Sequence, residues 1–419
     1  VLTVDRRRFL KTAGGVAAVG SVAGVVGVFG CAGCNSDKNT IRIVSSFPRT
    51  GSAKGQTDTM VDGIRLAIDD YGGQIGDFKI DYLDKDDATA AAGQWDGPSE
   101  GANARMAAAD PAVMVYIGPY NSGAAKVSMP ILNEAGLLQI SPAATWPGLT
   151  KNAGVDPNEP GCYRPANKVT FCRVCPTDDT QGPLSAEFAA SATADKGLGA
   201  KSVYVLDDKE LYGAGIAGLF KKKCEEIGIK VLGHESIVTT QTDFKQLAQQ
   251  VAGKNPDMVY FGGTTQTKAG QVIKDLRAAG FKGPVMVPDG CYEQAFIKSA
   301  QQEDLVNVYA TIGGTDPKML TEGKGAEFVK RYKEKYKKDP EAYAIYGYEA
   351  AKVFLEAVKK VGKKDRDELL KACLATKDFA EGAVGKWSFD ANGDTTLQQL
   401  TISKIEGGDF QPVKTITKK

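Results

Sequence analysis

At 419 residues the chain is too long for one small domain and points to two. A hydrophobic share of 42% with 25% charged residues is that of an ordinary water-soluble globular protein. Basic and acidic residues nearly cancel, 52 against 51 for a formal net charge of +1, and no basic stripe with interleaved aromatics occurs, which argues against nucleic acid as a partner.

The N-terminus reads as an address, not as part of the fold. Arg6-Arg7-Arg8-Phe9-Leu10-Lys11 precedes an uncharged stretch, 12–30, rich in Gly, Ala and Val, and resembles a twin-arginine export signal. The stretch is nearly long enough to span a bilayer, but its glycines make it weakly apolar for a permanent helix. Val28-Phe29-Gly30-Cys31 resembles a lipoprotein cleavage box with Cys31 as the lipidated residue, and Cys34 is a second candidate. Residues 35–39 then form a polar tether. These motifs predict an exported protein held by lipid at the outer face of the cytoplasmic membrane.

Beyond the tether, strands and helices alternate, which predicts parallel sheets covered on both faces. Strand 41–45 breaks at Phe47-Pro48-Arg49-Thr50-Gly51-Ser52, and a helix follows with Met60, Val61, Ile64, Ala67, Ile68 and Tyr71 at helical spacing. Strand 78–83 ends in Asp84-Lys85-Asp86-Asp87, read as capping and solvating the start of a helix over 88–109, broken or kinked at Gly93 and Gly97-Pro98. Two strand-to-turn junctions come next. Strand 113–117 ends in Gly118-Pro119-Tyr120-Asn121-Ser122, and after a helix over 123–133, strand 136–140 ends in Ser141-Pro142-Ala143-Ala144-Thr145. Both fall at the carboxyl edge of a parallel sheet, where open α/β folds bind ligands.

The alternation restarts after an insertion at 151–169. Strand 171–175 runs into Pro176-Thr177-Asp178-Asp179-Thr180-Gln181-Gly182, followed by helix 183–196, strand 202–206, helix 214–227 and strand 230–232. A helix capped by Thr242-Asp243, strand 258–261, helix 268–279 and strand 285–287 ending in Pro288-Asp289-Gly290 follow. Strand 306–312 leads to helices over 325–337 and 342–361, then strands 387–389 and 398–404 about the turn Asp390-Ala391-Asn392-Gly393-Asp394. The repeated pattern predicts two similar α/β lobes.

Eight cysteines agree with an oxidising destination. On a strand, Cys172 and Cys175 face opposite sides and cannot bridge each other, whereas Cys162 paired with one of them would staple the insertion. The two CxxC pairs, Cys31/Cys34 and Cys172/Cys175, are too far apart for a zinc ribbon, and Cys224, Cys291 and Cys373 read as core thiols. Gly213-Ala214-Gly215-Ile216-Ala217-Gly218 matches the dinucleotide fingerprint, but residues 207–212 separate it from its strand, whereas the fingerprint needs its first glycine at the strand end. The single histidine, His234, has no serine elbow to serve, and the 390–394 turn lacks the glycine position and glutamate of a calcium loop. No metal or cofactor is expected, and no enzyme. Polar side chains at strand ends of both lobes remain: Thr50, Ser122, Ala143 through its backbone and Thr145 in one, Tyr212, Thr264, Thr265 and Asp289 in the other. Donors facing a carboxylate suit a zwitterion, its carboxylate on the first lobe and its ammonium on Asp289.

Thr50-Gly51, Gly118-x-x-x-Ser122, Ser141-Pro142-Ala143-Ala144-Thr145 with Pro147-x-Leu149-Thr150, Asp178-x-x-Gln181-Gly182, Asp208-x-x-x-Tyr212-Gly213, Gly262-Gly263, the Tyr332–Tyr348 helical region and Phe389-Asp390-x-Asn392-Gly393-Asp394 together carry a family resemblance. Across nearly the whole mature chain they resemble the substrate-binding proteins of branched-chain amino acid ABC transporters, the type I periplasmic-binding fold. The resemblance implies two three-layer α/β lobes with parallel sheets, joined by a multi-strand hinge near 175–178, 313–316 and the segment after Asn392. Lobe one would comprise 40–175 plus 316–393 and lobe two 176–315 plus 394–419, after the 1–39 leader. It implies that Ser122, Ala143 and Thr145 hold the ligand carboxylate, that Tyr212 covers the cleft, and that Asp289 stands where the family often has a glutamate gripping the ammonium. Asp289 is one methylene shorter than glutamate, Thr264 sits where leucine-binding members can carry an aromatic, and Tyr120 and Trp146 add bulk near the ligand. Amides, urea, polyamines and aromatic acids are therefore open as ligands beside branched-chain amino acids. The expected role is delivery of an amino acid or similar solute to ABC permease subunits by a monomer, with a ligand-sensing receptor as the alternative and an exported nucleotide-dependent oxidoreductase as the remote one.

Overall fold

Short β-branched and aromatic runs, each ending in small or polar residues, become the strands of two sheets in the computed structural model, which describes residues 38–418. The leader, with Cys31 and Cys34, lies outside the described residues. In chain order the first half runs β1 (Thr40–Phe47), α1 (Lys54–Asp69), β2 (Gln74–Ile75), β3 (Phe78–Asp86), α2 (Gly97–Ala109), β4 (Val113–Ile117), α3 (Ser122–Glu134), β5 (Leu138–Ser141) and β6 (Phe171–Arg173). The second half runs α4 (Asp178–Ala190), β7 (Ser202–Asp207), α5 (Leu211–Glu226), β8 (Lys230–Ser236), α6 (Lys245–Gly253), β9 (Met258–Gly262), α7 (Ala269–Ala278), β10 (Val285–Val287), α8 (Gln294–Lys298) and β11 (Val308–Gly313). It closes with α9 (Gly323–Tyr336), α10 (Ala344–Val361), α11 (Arg366–Leu374), β12 (Gln399–Glu406) and β13 (Asp409–Thr417).

The first sheet has the order β2-β3-β1-β4-β5-β6 and the second β13-β12-β11-β10-β9-β7-β8. Their central strands are parallel, as the alternation predicts, while β2, β12 and β13 pair antiparallel at the edges. The order turns outward on both sides of β1 and β4 in the first sheet, the arrangement that opens a crevice at the strand ends. The chain passes between the lobes three times: after β6, after β11 and before β12. Between the last two crossings α9, α10 and α11 return to the first lobe, where α10 packs along α1 and α11 against β5. The α1–α10 crossing is close because a side chain at Gly63 would stand 2.1 Å from the Ala344 carbonyl, and one at Gly347 2.3 Å from that of Met60.

Several expectations are corrected. The 88–109 helix begins only at Gly97, because Asp96 caps it and Pro98 occupies its first turn, where a missing N–H costs nothing. The 84–87 acidic cluster therefore caps no helix. Asp84 and Asp86 bind Arg49 and its backbone, and Asp87 is fully buried. Helix α4 begins five residues before Pro183; that proline cannot donate to the Asp179 carbonyl, which takes Lys418 Nζ at 3.1 Å instead. Residues 387–389 form only isolated bridges, while β13 and α11 had no sequence signal strong enough to separate them from their surroundings. The staple does not form: Cys162 is exposed, Cys172 and Cys175 are buried, and every cysteine among the described residues is a free thiol.

Candidate functional site

The first jaw is built from the loops after β4 and β5. Gly118 turns the chain with φ +132 and passes so close to β1 that a side chain would lie 2.5 Å from the Ser46 carbonyl, so only glycine fits. Ser141 Oγ donates to the Pro119 carbonyl at 2.8 Å and accepts from the Ala144 N–H at 2.8 Å, tying the two loops together, with the Ala143 N–H at a longer 3.2 Å. Ser122 Oγ accepts from the Trp146 N–H at 3.2 Å.

A fully buried arginine fixes this loop from behind. Arg173 on β6 donates to the carbonyls of Ala144 (2.9 Å) and Trp146 (2.7 Å), to Thr150 Oγ1 (2.5 Å) and to Asp394 Oδ1 (2.7 Å). Asp394 belongs to the last crossing segment, so one guanidinium joins the ligand loop to a lobe connection. Burial works against the Asp394 charge, yet Arg173, Lys151 and Thr150 keep its carboxyl below the ordinary range.

The second jaw presents Asp289 at the end of β10. Its Oδ1 accepts from Tyr212 OH and from Gln181 Nε2, both at 2.5 Å, and its Oδ2 accepts from Tyr343 OH. Tyr343 precedes α10 and so reaches across from the other lobe. Burial raises the Asp289 carboxyl above its usual value, and these donors offset part of the rise. Asp289 is thus already satisfied by the chain itself, in contrast to the free ammonium acceptor expected from the sequence.

Asp178, at the first turn of α4, is the unsatisfied acid. It is completely buried and neither carboxyl oxygen has a hydrogen-bond partner. Burial, reinforced by nearby Asp289, pushes its carboxyl well above the ordinary range. The Asp178 N–H donates to the Thr145 carbonyl at 3.1 Å, and the buried Thr145 hydroxyl beside the carboxyl offsets part of that rise.

Of the sequence-predicted residues, Tyr120, Ser122, Ala143, Tyr212, Thr264 and Asp289 line one cavity with Asn121 and Gly290. Thr145 is buried just behind it. Thr50 is not brought there: its hydroxyl donates to Asp86 at 2.8 Å, drawn away by the acidic end of β3. Thr264 faces the cavity, but its polar atoms close a turn with Thr267, which donates to Asp208 at 2.7 Å. Trp146 is not a cavity wall. Its indole N–H points to buried Glu159 at 3.1 Å, and its ring fills the space where a side chain at Gly215 would stand, 2.4 Å away. The glycine-rich fingerprint is therefore a flat helix face for the opposite lobe's tryptophan, with no room for a pyrophosphate there.

Sequence reasoning missed Tyr343, Gln181 and Asp178 as site residues. Gln181 and Asp178 stood in a quoted motif, and Tyr343 in the 332–348 helical region that carries the resemblance, but none was singled out as a ligand residue.

Direct contacts hold the jaws together. Besides Tyr343 on Asp289, Asn121 Nδ2 donates to Gln266 at 3.3 Å and Gln56 Nε2 to the Tyr292 carbonyl at 3.1 Å. The cavity left between them is about 10 Å³, about enough for one water molecule. An amino-acid-sized molecule enters only as the jaws part. Among the described residues no cluster of His, Cys, Asp or Glu could hold a metal ion, and no helix is long and apolar enough to cross a membrane.

Comparison with known proteins agrees with this architecture. The sequence model of a family described as periplasmic binding protein matches residues 40–409. A Leu/Ile/Val-binding protein homolog from Brucella suis is 30% identical over 343 residues, which cover 81% of this chain and 83% of that one. An amino acid binding protein of Pseudomonas aeruginosa is 25% identical over 364 residues, covering 85% and 87% of the two chains. The crystal structure of a leucine binding protein, LivK, from Thermotoga maritima matches with a TM-score of 0.78 at 25% identity, covering 90% of this chain and 99% of that one.

Proposed function

The chain belongs to the periplasmic binding protein family, and we propose that it is the solute-binding component of an ABC importer, closing on an amino acid or a related small polar molecule. It is not an enzyme in this reading. The observation that carries the ligand class is the Asp178 carboxyl, completely buried between the jaws with no donor but the Thr145 hydroxyl beside it. Native chains leave few such groups, and a zwitterion supplies the missing donor. Its carboxylate takes Ser122, Thr145 and the Ala143 N–H, and its ammonium takes Asp178, with Asp289 behind it. Names of the relatives support the same class.

The lobes, 40–175 plus 316–393 and 176–315 plus 394–419, part about the three crossings and shut on the ligand. A monomer then delivers it to permease subunits in the membrane. Export through the Arg6-Arg7-Arg8 signal and lipid attachment at Cys31 complete the proposal and rest on the sequence motifs.

A thermal-shift screen of the protein freed of its leader, against amino acids, amides and aromatic acids, tests it. A ligand at 100 times its Kd stabilises by about 2.7 kcal/mol. Zwitterions are expected to shift the transition; a shift with neutral amides alone would refute the amino-acid assignment.

A further inference from the structure

Gln56 is fully buried at the start of α1, in the first lobe, yet it touches both lobes. Its Oε1 accepts from the Tyr120 phenol, a wall of the cleft, at 2.5 Å. Its Nε2 donates to the Tyr292 carbonyl of the second lobe at 3.1 Å. Its backbone N–H reaches the neighbouring Glu293 carboxyl, also buried in the second lobe. A buried amide costs free energy unless both of its ends are paired, and this one is paired at both ends only while the lobes meet.

The partner on each side is held in place. Tyr292 ends the short turn that carries Asp289, and its N–H donates to the Asp289 carbonyl at 2.9 Å. Its phenol donates at 2.5 Å to Asp316, in the second crossing between the lobes, and its ring stacks on Phe410 with centroids 4.2 Å apart. On the other side, the Tyr120 ring stands edge-on to Tyr343, centroids 6.3 Å apart, and Tyr343 OH in turn reaches Asp289. A carbonyl only accepts. The Tyr292 carbonyl therefore fixes which end of the amide faces it, leaves Oε1 for Tyr120, and makes that phenol a donor to Gln56. The ligand then meets the ring of Tyr120 and its oxygen lone pairs, with the phenolic hydrogen already committed.

We propose that Gln56 is a positioning residue for ligand capture: contact with Tyr292 as the lobes shut turns its amide so that it holds Tyr120 in place against the ligand. The inference rests on the cleft being the ligand site. Parting the lobes removes the Tyr292 carbonyl, frees the amide to turn over and releases the phenol, so Gln56 links closure to the shape of the cleft wall.

Titration with an equimolar mixture of the proteinogenic L-amino acids tests this, read by calorimetry, stopped-flow dissociation and small-angle scattering. Wild type, Gln56→Met, Tyr120→Phe and the double variant are compared. Gln56→Met keeps the length of the side chain and loses both bonds. It is expected to raise the apparent Kd about tenfold, chiefly through faster dissociation, and to need correspondingly more ligand before the radius of gyration contracts. Tyr120→Phe is expected to weaken binding by a smaller factor and to cost nothing further in the double variant, because the two residues act as one unit. Additive losses, or a Gln56→Met protein that binds and contracts like wild type, overturn the inference and leave the cleft assignment standing. A wild type that neither binds nor contracts overturns the cleft assignment and the inference with it. If Gln56→Met fails to fold by circular dichroism, Tyr120→Phe decides alone: affinity equal to wild type overturns the inference.

Discussion

The two jaws of the cleft hold their polar groups in opposite ways. The first jaw, 118–122 with 141–150, is a pair of loops whose backbone is pinned by Ser141 and by the buried Arg173–Asp394 pair. Its charges sit behind the site, and what faces the cavity is hydroxyls and N–H groups. The second jaw puts its acids forward: Asp289 and Asp178 are both buried at the lobe interface. One acid is satisfied by phenol and amide donors, and the other has only the Thr145 hydroxyl beside it. Rigidity comes from one side and unspent electrostatic demand from the other, a division that lets a ligand decide whether the jaws stay shut.

The largest expected effect comes from removing the anchor of the first jaw. Asp394→Asn leaves the fully buried Arg173 uncompensated, and breaking such a pair costs roughly 3–5 kcal/mol. Urea unfolding should show that loss, together with weakened ligand binding as the 144–150 loop slackens. Tyr343→Phe acts on the other jaw by freeing one Asp289 oxygen. A hydrogen bond to a charged group contributes about 1.5–3 kcal/mol, here to closure across the lobes, so small-angle scattering of the ligand-free variant should show a larger radius of gyration. An unchanged radius would mean that this bond does not hold the jaws. Gly215→Ala pushes a methyl group against the Trp146 ring from the facing lobe, and overpacking of this kind costs about 1–3 kcal/mol. Ligand affinity should fall about tenfold or more while each lobe keeps its helical content by circular dichroism.

The smallest effect is a contrast in pH dependence. Asp394 is held below its ordinary value of 3.8, so its contribution is complete above that value and is lost as pH falls through the lowered one. Asp208, in the turn that carries Thr264, is pushed by burial up to about 7. Between 3.8 and about 7 the folded chain keeps a proton that the unfolded chain has lost, so stability falls as pH rises, by at most about 1.4 kcal/mol per unit, and levels off above 7. Denaturant midpoints between pH 4 and 8 should fall less steeply in Asp208→Asn, where buried Glu100 and Glu349, also raised to about 7, keep their share of the slope. In Asp394→Asn they should fall as steeply as in wild type.

Much of the first jaw was legible because it is local. Gly118, Ser122, Ser141 and Thr145 announce strand ends within a few residues of an apolar run, and the structure gathers Ser122 and Ala143 at the cavity with Thr145 behind. The second jaw was legible only in part. Asp289 was found as an acid at a strand end, but its donors come from positions 181, 212 and 343. Thr50 misled because its hydroxyl looked free in sequence, whereas β3 runs beside β1 and places Asp86 within reach. The glycines at 213, 215 and 218 fit a phosphate-binding pattern on spacing alone; what distinguishes them is a tryptophan 69 positions away from Gly215.

Periodicity and turn chemistry are short-range, and by themselves they determined the alternation of strands and helices, the two lobes and the existence of a donor-lined strand edge. Charge in a buried cleft is a long-range matter. Only the tertiary structure decided that Asp289 is satisfied, that Asp178 is not, and that Trp146 closes a seam instead of lining the cleft. A carboxyl's state depends on which donors the fold carries to it, and those donors are scattered across the chain.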